Sequence, residues 1–212
     1  MKSSGQSVAL FDFDGTLTHR DTLLPFLRYC LGTVAFGKVL ISQAPWLLGF
    51  RAGILSNHVV KQRLLIACFK DWRLENLETL GEAYARCTLP QFILPGREAI
   101  LRWHLSQGHR CYLVSASLGL YLRPWSKSFG FEGVICSEME VSFEGLITGR
   151  LQGRNVFGPE KVVRIKQALR LDTPVVDFAY GDSRGDLEML SLAKFAWYRG
   201  RFRDVEPPGW MA

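Results

Sequence analysis

The stretch VALFDFDGT, residues 8–16, decides the fold. Its first four residues are an uninterrupted apolar run, which is typical of a strand buried on both faces of a parallel sheet. Alternate residues of an extended chain point to the same side, so Asp12 and Asp14 face one site while Phe13 turns into the core. Gly15 permits a sharp exit from the strand. The sequence therefore predicts a carboxylate pair at a strand end.

A second pair of carboxylates follows another apolar strand. Residues 175–180 are apolar except for Asp177, which we expect to accept a local hydrogen bond, and the sequence GDSRGD, residues 181–186, comes next. Asp182 stands at the strand end. Asp186 comes four residues later, on the same face of a helical turn. These carboxylates are expected to join the first pair.

Donors for an anion follow the middle strand and begin one helix. Ser115-Ala116-Ser117 comes after the predicted strand 110–114, and its hydroxyls and amides can donate to phosphate oxygens. Lys161 lies early in a helix, which favours a fixed cation beside a bound anion. Because doubly wound sheets bind ligands at the carboxyl ends of their strands, these groups are expected in one crevice.

Strands and helices alternate along the chain, which predicts an α/β fold with a doubly wound, mostly parallel, Rossmann-like sheet. A long helical block after the first strand predicts a helical cap inserted into this core. We place the core at residues 1–20 and 90–212 and the cap at residues 21–89. The sequence also predicts a strand at residues 133–136 and a hairpin at residues 138–152. Three further helices are predicted at residues 95–107, 118–128 and 161–171.

Within the cap, Asp71 is expected to be the N-cap of the last helix. The apolar face of that helix is predicted to contain Leu74, Leu77, Leu80, Tyr84 and Cys87. The tail from Trp197 to Ala212 gives no clear signal, and we expect its arginines to be solvated.

Composition narrows the class of protein. Of the 212 residues, 48% are hydrophobic, which is enough to form a core, and the formal net charge of +6 favours anionic partners. The apolar run near the N-terminus is too short for a secretory signal. Five cysteines and four histidines, with no metal-ligand or C-x-x-C spacing, argue against disulfides and zinc. We therefore expect reduced thiols, surface histidines and a cytoplasmic location.

The predicted crevice calls for a metal ion. Carboxylates gathered at the edge of a buried sheet repel one another unless a cation lies between them. A hard divalent cation with oxygen ligands, most simply Mg²⁺, meets that need. The candidate ligands are Asp12, Asp14, Asp182 and Asp186.

The four motifs, in this order along nearly the whole chain, resemble those of the haloacid dehalogenase superfamily. The first and fourth motifs, DFDGT and GDSRGD, are the specific ones. The resemblance implies a Mg²⁺-dependent phosphomonoesterase in which Asp12 is the nucleophile and Asp14 the general acid and base. A helical insertion after the first motif is similar to the cap of the subfamily that includes phosphoserine phosphatase.

The resemblance also implies roles for the other candidates. Asp182 would be a side-chain ligand of the metal, the backbone carbonyl of Asp14 would be another, and Asp186 would support the site. Ser115 and Lys161 would hold the phosphoryl oxygens. An aspartate at position 14 favours either water as the phosphoryl acceptor or a mutase reaction, and of these we prefer hydrolysis.

The stretch FDFDGTLTHRDTLLPFLRYCLG resembles a narrower group, phosphatidylglycerophosphatase C and related hydrolases of subfamily IB. By this resemblance Asp21 faces the substrate, although Asp21 is also a natural N-cap. We also expect Thr16 and Ser117 to contact the substrate.

The cap has an unusual charge distribution. No Asp or Glu occurs from Thr22 to Lys70, where six basic residues alternate with apolar stretches. Residues 39–50 are uncharged but too few to cross a bilayer. One interpretation is peripheral contact with an anionic membrane at its inner face. The other is a helix pair that packs on itself with solvated basic groups.

Three classes of function remain open. A phosphomonoesterase is the leading hypothesis, with either a lipid head-group phosphate or a small soluble ester such as phosphoserine or histidinol phosphate as its substrate. A non-catalytic binding protein would not need all the motif residues intact. A nucleic-acid-binding protein would need a basic stripe outside the crevice, and we expect no nucleic acid partner. The sequence does not indicate an oligomeric state.

Overall fold

A computed structural model describes residues 6–172 and 176–203. Within these residues, strands occur at β1 (Val8–Phe11), β2 (Arg110–Leu118), β3 (Gly133–Ser137), β4 (Met139–Val141), β5 (Ile147–Leu151), β6 (Val176–Gly181), β7 (Ala193–Tyr198) and β8 (Arg201–Arg203). One sheet has the order β3-β2-β1-β6-β7-β8, and β4 and β5 form a separate antiparallel hairpin. Only β8 is antiparallel to its neighbour in the large sheet. The predicted mostly parallel α/β fold is confirmed.

The strand order places the predicted carboxylates at a crevice. β1 pairs with β2 on one side and with β6 on the other, and Leu10 lies opposite both Tyr112 and Ala179. The chain winds outward from β1 to β3 and then returns to the other side through β6. Such a reversal leaves a gap between crossovers at the carboxyl ends of the strands, where ligands bind in doubly wound sheets.

The described helices are α1 (Leu23–Leu31), α2 (Thr33–Ser42), α3 (Ala44–Arg51), α4 (Asn57–Phe69), α5 (Leu74–Cys87), α6 (Pro95–Ser106), α7 (Gly119–Lys127), α8 (Pro159–Leu169) and α9 (Leu187–Leu190). Helices α1–α5 follow β1 in residues 21–89, which we call the cap segment. Its two connections run side by side, because His19 N donates to Phe92 O at 2.9 Å and Leu94 N donates to Leu17 O at 2.8 Å. The division into core and cap domains stays a prediction.

Alternate residues of β1 pack on opposite faces of the sheet. Leu10 belongs to the hydrophobic cluster that includes Ile165 of α8 and Met189 of α9. Ala9 and Phe11 belong to the larger cluster, which continues into the cap segment. There the ring of Phe26 is fully buried against Tyr84 and Tyr121, at centroid distances of 5.2 and 4.8 Å. The base of the cap segment is therefore anchored on the core.

The predicted N-cap at Asp71 is wrong. Helix α5 begins at Leu74 with Arg73 at its N-cap, and Asp71 has a φ of +66°. The reason is tertiary: Asp71 N donates to Ile147 O at 2.8 Å and Leu74 N to Gly145 O at 3.0 Å. Residues 71–74 thus pair with the hairpin before the helix starts. Cys87, predicted on the apolar face, is exposed at the last turn.

The prediction that every histidine is a surface residue is also wrong. His104 is fully buried between α6 and the sheet, where Nε2 lies 2.8 Å from Tyr180 Oη and Nδ1 lies 2.7 Å from His109 Nδ1. An imidazole can be buried when its polar atoms have partners. The predicted local role of Asp177 is confirmed, since it accepts from Val8 N at 3.2 Å and from Lys194 Nζ at 3.1 Å.

Other element boundaries differ modestly from the predictions. The middle strand continues to Leu118, and its register against β3 shifts between Val114 and Leu118. The tail begins with strand pairing, since Trp197 of β7 lies opposite Phe202 of β8. The predicted strand start at Val175 and residues 204–212 of the tail lie outside the described residues. Across the part of the chain described, no helix is long and apolar enough to cross a membrane.

Candidate active site

Asp12 lies directly after β1 and is held on three sides. Its N–H donates to Tyr180 O at 2.9 Å, which extends the parallel ladder by one residue. Its Oδ1 accepts from Lys161 Nζ at 2.7 Å and its Oδ2 from Thr16 Oγ1 at 3.1 Å. The side chain is buried apart from a small opening toward the crevice. This geometry fixes the carboxylate before any ligand binds.

Lys161 connects two carboxylates from the first turn of α8. Its Nζ donates to Asp12 at 2.7 Å, to Asp186 Oδ1 at 2.5 Å and to Val114 O at 2.9 Å, which uses all three of its hydrogens. The side chain is almost fully buried. Burial alone would lower the pKa of Lys161, but the charges of Asp12 and Asp186 outweigh burial and raise it. Lys161 therefore stays charged inside the protein.

Asp186 is nearly saturated with hydrogen bonds, whereas Asp182 is not. The Oδ2 of Asp186 accepts from Ser183 N at 2.9 Å, from Ser183 Oγ at 2.7 Å and from Asp182 N at 3.2 Å. Burial would raise the pKa of Asp186, but Lys161 and Ser183 lower it. The half-exposed Asp182 accepts from Thr16 Oγ1 at 3.4 Å, and burial together with Asp186 raises its pKa.

The carboxylates form a cluster with an excess of negative charge. Asp12, Asp182 and Asp186 each offer one oxygen, and these oxygens lie within 4.8 Å of one another. With Lys161 as their buried cation, the ionised cluster carries three negative charges and one positive charge. Burial raises the pKa of Asp12 to about 7, because Lys161 offsets the burial only in part. A hard divalent cation fits both the oxygen donors and the missing charge.

Asp14 faces away from this cluster, toward the cap segment. Its Oδ1 accepts from Thr22 N at 2.8 Å and from Thr22 Oγ1 at 2.6 Å, and its Oδ2 accepts from Ser117 Oγ. Burial, followed by the charge of Asp21, raises the pKa of Asp14 to about 6. A carboxyl group with this pKa can exchange a proton near neutral pH.

The remaining predicted residues divide between the crevice wall and the layer beneath it. Ser115 and Asp21 line the crevice, and Asp21 also accepts from Leu23 N at 3.0 Å at the start of α1. Ser115 Oγ accepts from Ser117 N at 3.0 Å. Thr16 is buried and bridges Asp12 to Asp182. The catalytic and binding roles of all these residues stay predictions.

Two adjoining cavities meet at the carboxylates. The first has a volume of about 390 Å³ and contains Asp12, Lys161 and Asp182. The second, of about 210 Å³, shares Asp14 and Asp21 with the first. It is otherwise mostly apolar and is lined by Leu23, Leu24, Leu47, Phe50, Val60 and Leu64 of the cap segment. A bound phosphate ester could therefore extend from a polar cavity into an apolar one.

Sequence reasoning missed a buried polar connection between the cap segment and the core. Lys61 of α4 donates to Ala116 O and, at 3.0 Å, to Asn155 Oδ1. Asn155 in turn accepts from Ser137 Oγ at 2.8 Å and donates to Asn57 Oδ1 at 2.8 Å. Burial lowers the pKa of Lys61 to about 8. No local sequence signal marks these residues, because their partners are distant along the chain.

Thr22 was missed as well, although a signal was present. A threonine directly before a helix is a common cap, but here its hydroxyl bonds Asp14 and lies 3.2 Å from Tyr121 Oη. The helix start therefore positions Asp14.

Comparison with known proteins yields a family. The model of the haloacid dehalogenase-like hydrolase family matches residues 9–191. Protein CicA of Caulobacter vibrioides is 31% identical over 192 residues, which cover 89% of this chain and 84% of CicA. A histidinol-phosphatase of Neisseria meningitidis serogroup C is 23% identical, covering 88% of this chain and 87% of that protein.

A solved structure described as a substrate-bound phosphoserine phosphatase complex has the same fold. Its TM-score is 0.62 at 17% identity, and the match covers 91% of this chain and 85% of that one. The predicted resemblance to the superfamily is confirmed, whereas the narrower resemblance to phosphatidylglycerophosphatase C stays a prediction. From the family match over residues 9–191, and from motifs that meet in one crevice, the chain belongs to the haloacid dehalogenase-like hydrolases.

Proposed function

We propose that this hydrolase is a Mg²⁺-dependent phosphatase that transfers a phosphoryl group to Asp12 and then to water. One observation carries the proposal. The buried carboxylate of Asp12 lines a crevice, and at its base one buried cation, Lys161, contacts a cluster of three carboxylates, those of Asp12, Asp182 and Asp186. Such a site is suited to an anionic substrate only when a further cation is bound with it.

In the first half-reaction a carboxylate oxygen of Asp12 attacks phosphorus, and the bond from phosphorus to the ester oxygen breaks. Asp14 gives its proton to the departing alcohol oxygen, which the raised pKa of about 6 allows. In the second half-reaction a water attacks the aspartyl-phosphate and loses its proton to Asp14. Phosphate leaves and Asp12 is restored.

Other residues hold the transferred group. Lys161 would attract the phosphoryl oxygens by its charge, since its three hydrogens already have acceptors within the chain, and Ser115, which lines the same crevice, would donate to them. Asp12, Asp182 and the backbone carbonyl of Asp14 would hold Mg²⁺, supported by Asp186. The ion would supply positive charge that offsets the carboxylates and the phosphoryl oxygens.

For the substrate we propose a phosphate ester with an apolar portion, such as a lipid head-group phosphate. The support is the apolar cavity of about 210 Å³ that adjoins Asp14, which would protonate the leaving alcohol. Lys61 lines the same apolar cavity and would offer positive charge to a head group.

A small soluble ester is the second candidate. The similarity to a histidinol-phosphatase favours it, as does the polar rim of the first cavity, where His19, Arg20 and Asp21 lie. Rim groups of this kind could bind the polar end of a soluble alcohol.

The test is phosphate release, with and without Mg²⁺, from matched esters that differ only in their acyl chains. The pairs would include phosphatidylglycerophosphate and its deacylated head group, with phosphoserine and histidinol phosphate added. Wild type is expected to require Mg²⁺, and Asp12→Asn to lose activity by about 10⁴-fold or more. Preference for the acylated member supports a lipid substrate, and preference for the deacylated member supports the soluble ester.

Asp177→Asn is the matched control, because Asp177 is a carboxylate of strand β6 that bonds Val8 and Lys194 and does not line the crevice. It should keep wild-type activity. Mass spectrometry of acid-quenched enzyme should find one phosphoryl group on the peptide that contains Asp12. Full activity of Asp12→Asn would contradict the mechanism, and a folded wild type inactive on every ester would favour a non-catalytic binding protein.

A further inference from the structure

The end of the cap segment leaves apolar side chains uncovered. We call residues 33–54, which contain α2, α3 and the turn after them, the apolar tip. Only Phe36 is buried in α2, and no residue is buried in α3. The exposed fractions of Val34, Ile41, Leu48 and Ile54 are 75, 78, 66 and 79%. Apolar area concentrated in this way on one helix pair marks a surface that binds something.

The charged residues of this part of the cap segment have one sign. The exposed basic residues of the cap segment up to its fourth helix are Arg28, Lys38, Arg51, Arg63 and Lys70, and no acidic residue occurs between positions 22 and 70. Arg63 also lies over the ring of Trp46 of α3, with its Cζ 4.1 Å from the centroid. A partner that fits the tip therefore offers apolar groups to the exposed side chains and negative charge to the basic residues around them.

We propose that the apolar tip docks on an anionic lipid surface. A bilayer interface offers both properties, since acyl chains accept Ile41, Leu48 and Ile54 while anionic head groups attract Lys38 and Arg51. A second copy of the chain fits less well, because facing tips would bring like charges together. A nucleic acid would leave the apolar residues without partners.

The docking is peripheral. Helices α2 and α3 have 10 and 8 residues, so each is at most about 15 Å long, half the thickness of a bilayer core. They can lie in the interface but cannot cross it.

The tip also connects to the crevice. Leu47 and Phe50 of α3 line the apolar cavity that reaches Asp14. A tip lying on lipid would thus place the mouth of that cavity against the lipid surface. The docking itself does not depend on the proposed function, because it requires no chemistry at Asp12.

The experiment is sedimentation of the full chain with vesicles, either of phosphatidylcholine alone or of phosphatidylcholine and phosphatidylglycerol in equal parts. We expect wild type to bind the second kind, and salt to weaken binding. The double variant Ile41→Ser/Ile54→Ser should bind about tenfold more weakly or worse, because two apolar anchors are lost. Lys38→Gln/Arg51→Gln should lose most of the preference for phosphatidylglycerol.

The control is Phe143→Ser/Leu171→Ser, which removes two exposed apolar residues outside the tip and should bind like wild type. All four residues replaced by serine in this variant and in Ile41→Ser/Ile54→Ser are exposed, so thermal unfolding should show that both variants are folded. The proposal is overturned if wild type binds neither kind of vesicle or binds both equally. It is overturned as well if Phe143→Ser/Leu171→Ser loses as much affinity as Ile41→Ser/Ile54→Ser. It is also overturned if wild type is a dimer in light scattering that Ile41→Ser/Ile54→Ser dissociates.

Discussion

In folded proteins apolar residues are usually buried and charged residues exposed, and the carboxyl edge of the sheet and the apolar tip depart from this pattern in opposite ways. At the edge, Asp12, Lys161 and Asp186 are ionisable yet almost fully buried. At the tip, Ile41 and Ile54 are apolar yet mostly exposed. Each arrangement costs folding free energy relative to the reverse placement, and neither is explained by folding alone.

The difference lies in how each region is completed. Every hydrogen of Lys161 has an acceptor within the chain, and what the edge lacks is positive charge. The tip lacks a covering surface altogether. A small ion can complete the first region and only an extended partner can complete the second. The tip is tested by the vesicle experiment above, and three predictions test how the buried polar groups are held, beginning with the largest effect.

The largest effect is expected for Lys161→Met. Removing the ammonium leaves Asp12 and Asp186 buried beside each other without their cation, which should lower the free energy of unfolding by about 3–5 kcal/mol. Urea unfolding at pH 7.5 measures it. Arg164→Met, on the same helix, removes a more exposed pair with Glu160 and should cost about 0.5 kcal/mol. An equal loss of unfolding free energy in the two variants would mean that the charge of Lys161 does not stabilise the buried carboxylates.

A smaller effect, on activity, is expected for Gly15→Ala. Gly15 has a φ of +78°, and an added Cβ would overlap the carboxylate of Asp182. Displacement of that carboxylate should raise the Mg²⁺ concentration that gives half-maximal activity. It should also lower the rate of phosphate release by about 10²-fold.

Gly32→Ala separates this effect from backbone strain. Gly32 has a φ of +75° and a ψ of 165°, a conformation that favours glycine, and nothing lies near its missing Cβ, so Gly32→Ala should lose about 1–3 kcal/mol of stability to backbone strain alone. Only Gly15→Ala should change the Mg²⁺ titration. The same titration for both variants would show that strain, and not the carboxylate, governs it.

The smallest effect concerns His104, a buried polar group outside the crevice. Burial, with a contribution from His109, lowers its pKa to about 3, so the folded protein resists a proton that the unfolded chain accepts near pH 6.5. Its contribution to stability is therefore present above pH 6.5 and declines as the pH falls toward 3. At pH 5 the loss should be about 2 kcal/mol.

Urea unfolding of wild type and His104→Gln at pH 7.5 and pH 5 measures this loss. His104→Gln should lose less stability between the two pH values than wild type does. His19→Gln, at an exposed position, should behave like wild type. If His104→Gln loses as much stability between pH 7.5 and pH 5 as wild type does, other titrating groups cause the loss.

The sequence alone determined the class of fold and the identity of the carboxylates. The apolar runs before Asp12 and Asp182 and the glycine at position 15 are local signals, and parallel strands must end at one edge. The confirmed sheet and the shared crevice follow from those signals. Regular alternation also predicted the hairpin that contains β4 and β5.

Only the tertiary structure decided how each of these side chains is held. Asp71 failed as a helix cap because the hairpin, distant in sequence, pairs with residues 71–74. Lys61 and Asn155 meet across 94 positions, and Thr22, the residue directly before α1, bonds Asp14. Exposure of the apolar tip was equally hidden, because periodicity shows that a helix has an apolar face but not what covers it. Burial and hydrogen-bond partners are properties of the packed chain, and they decide which ionisable groups are set for chemistry.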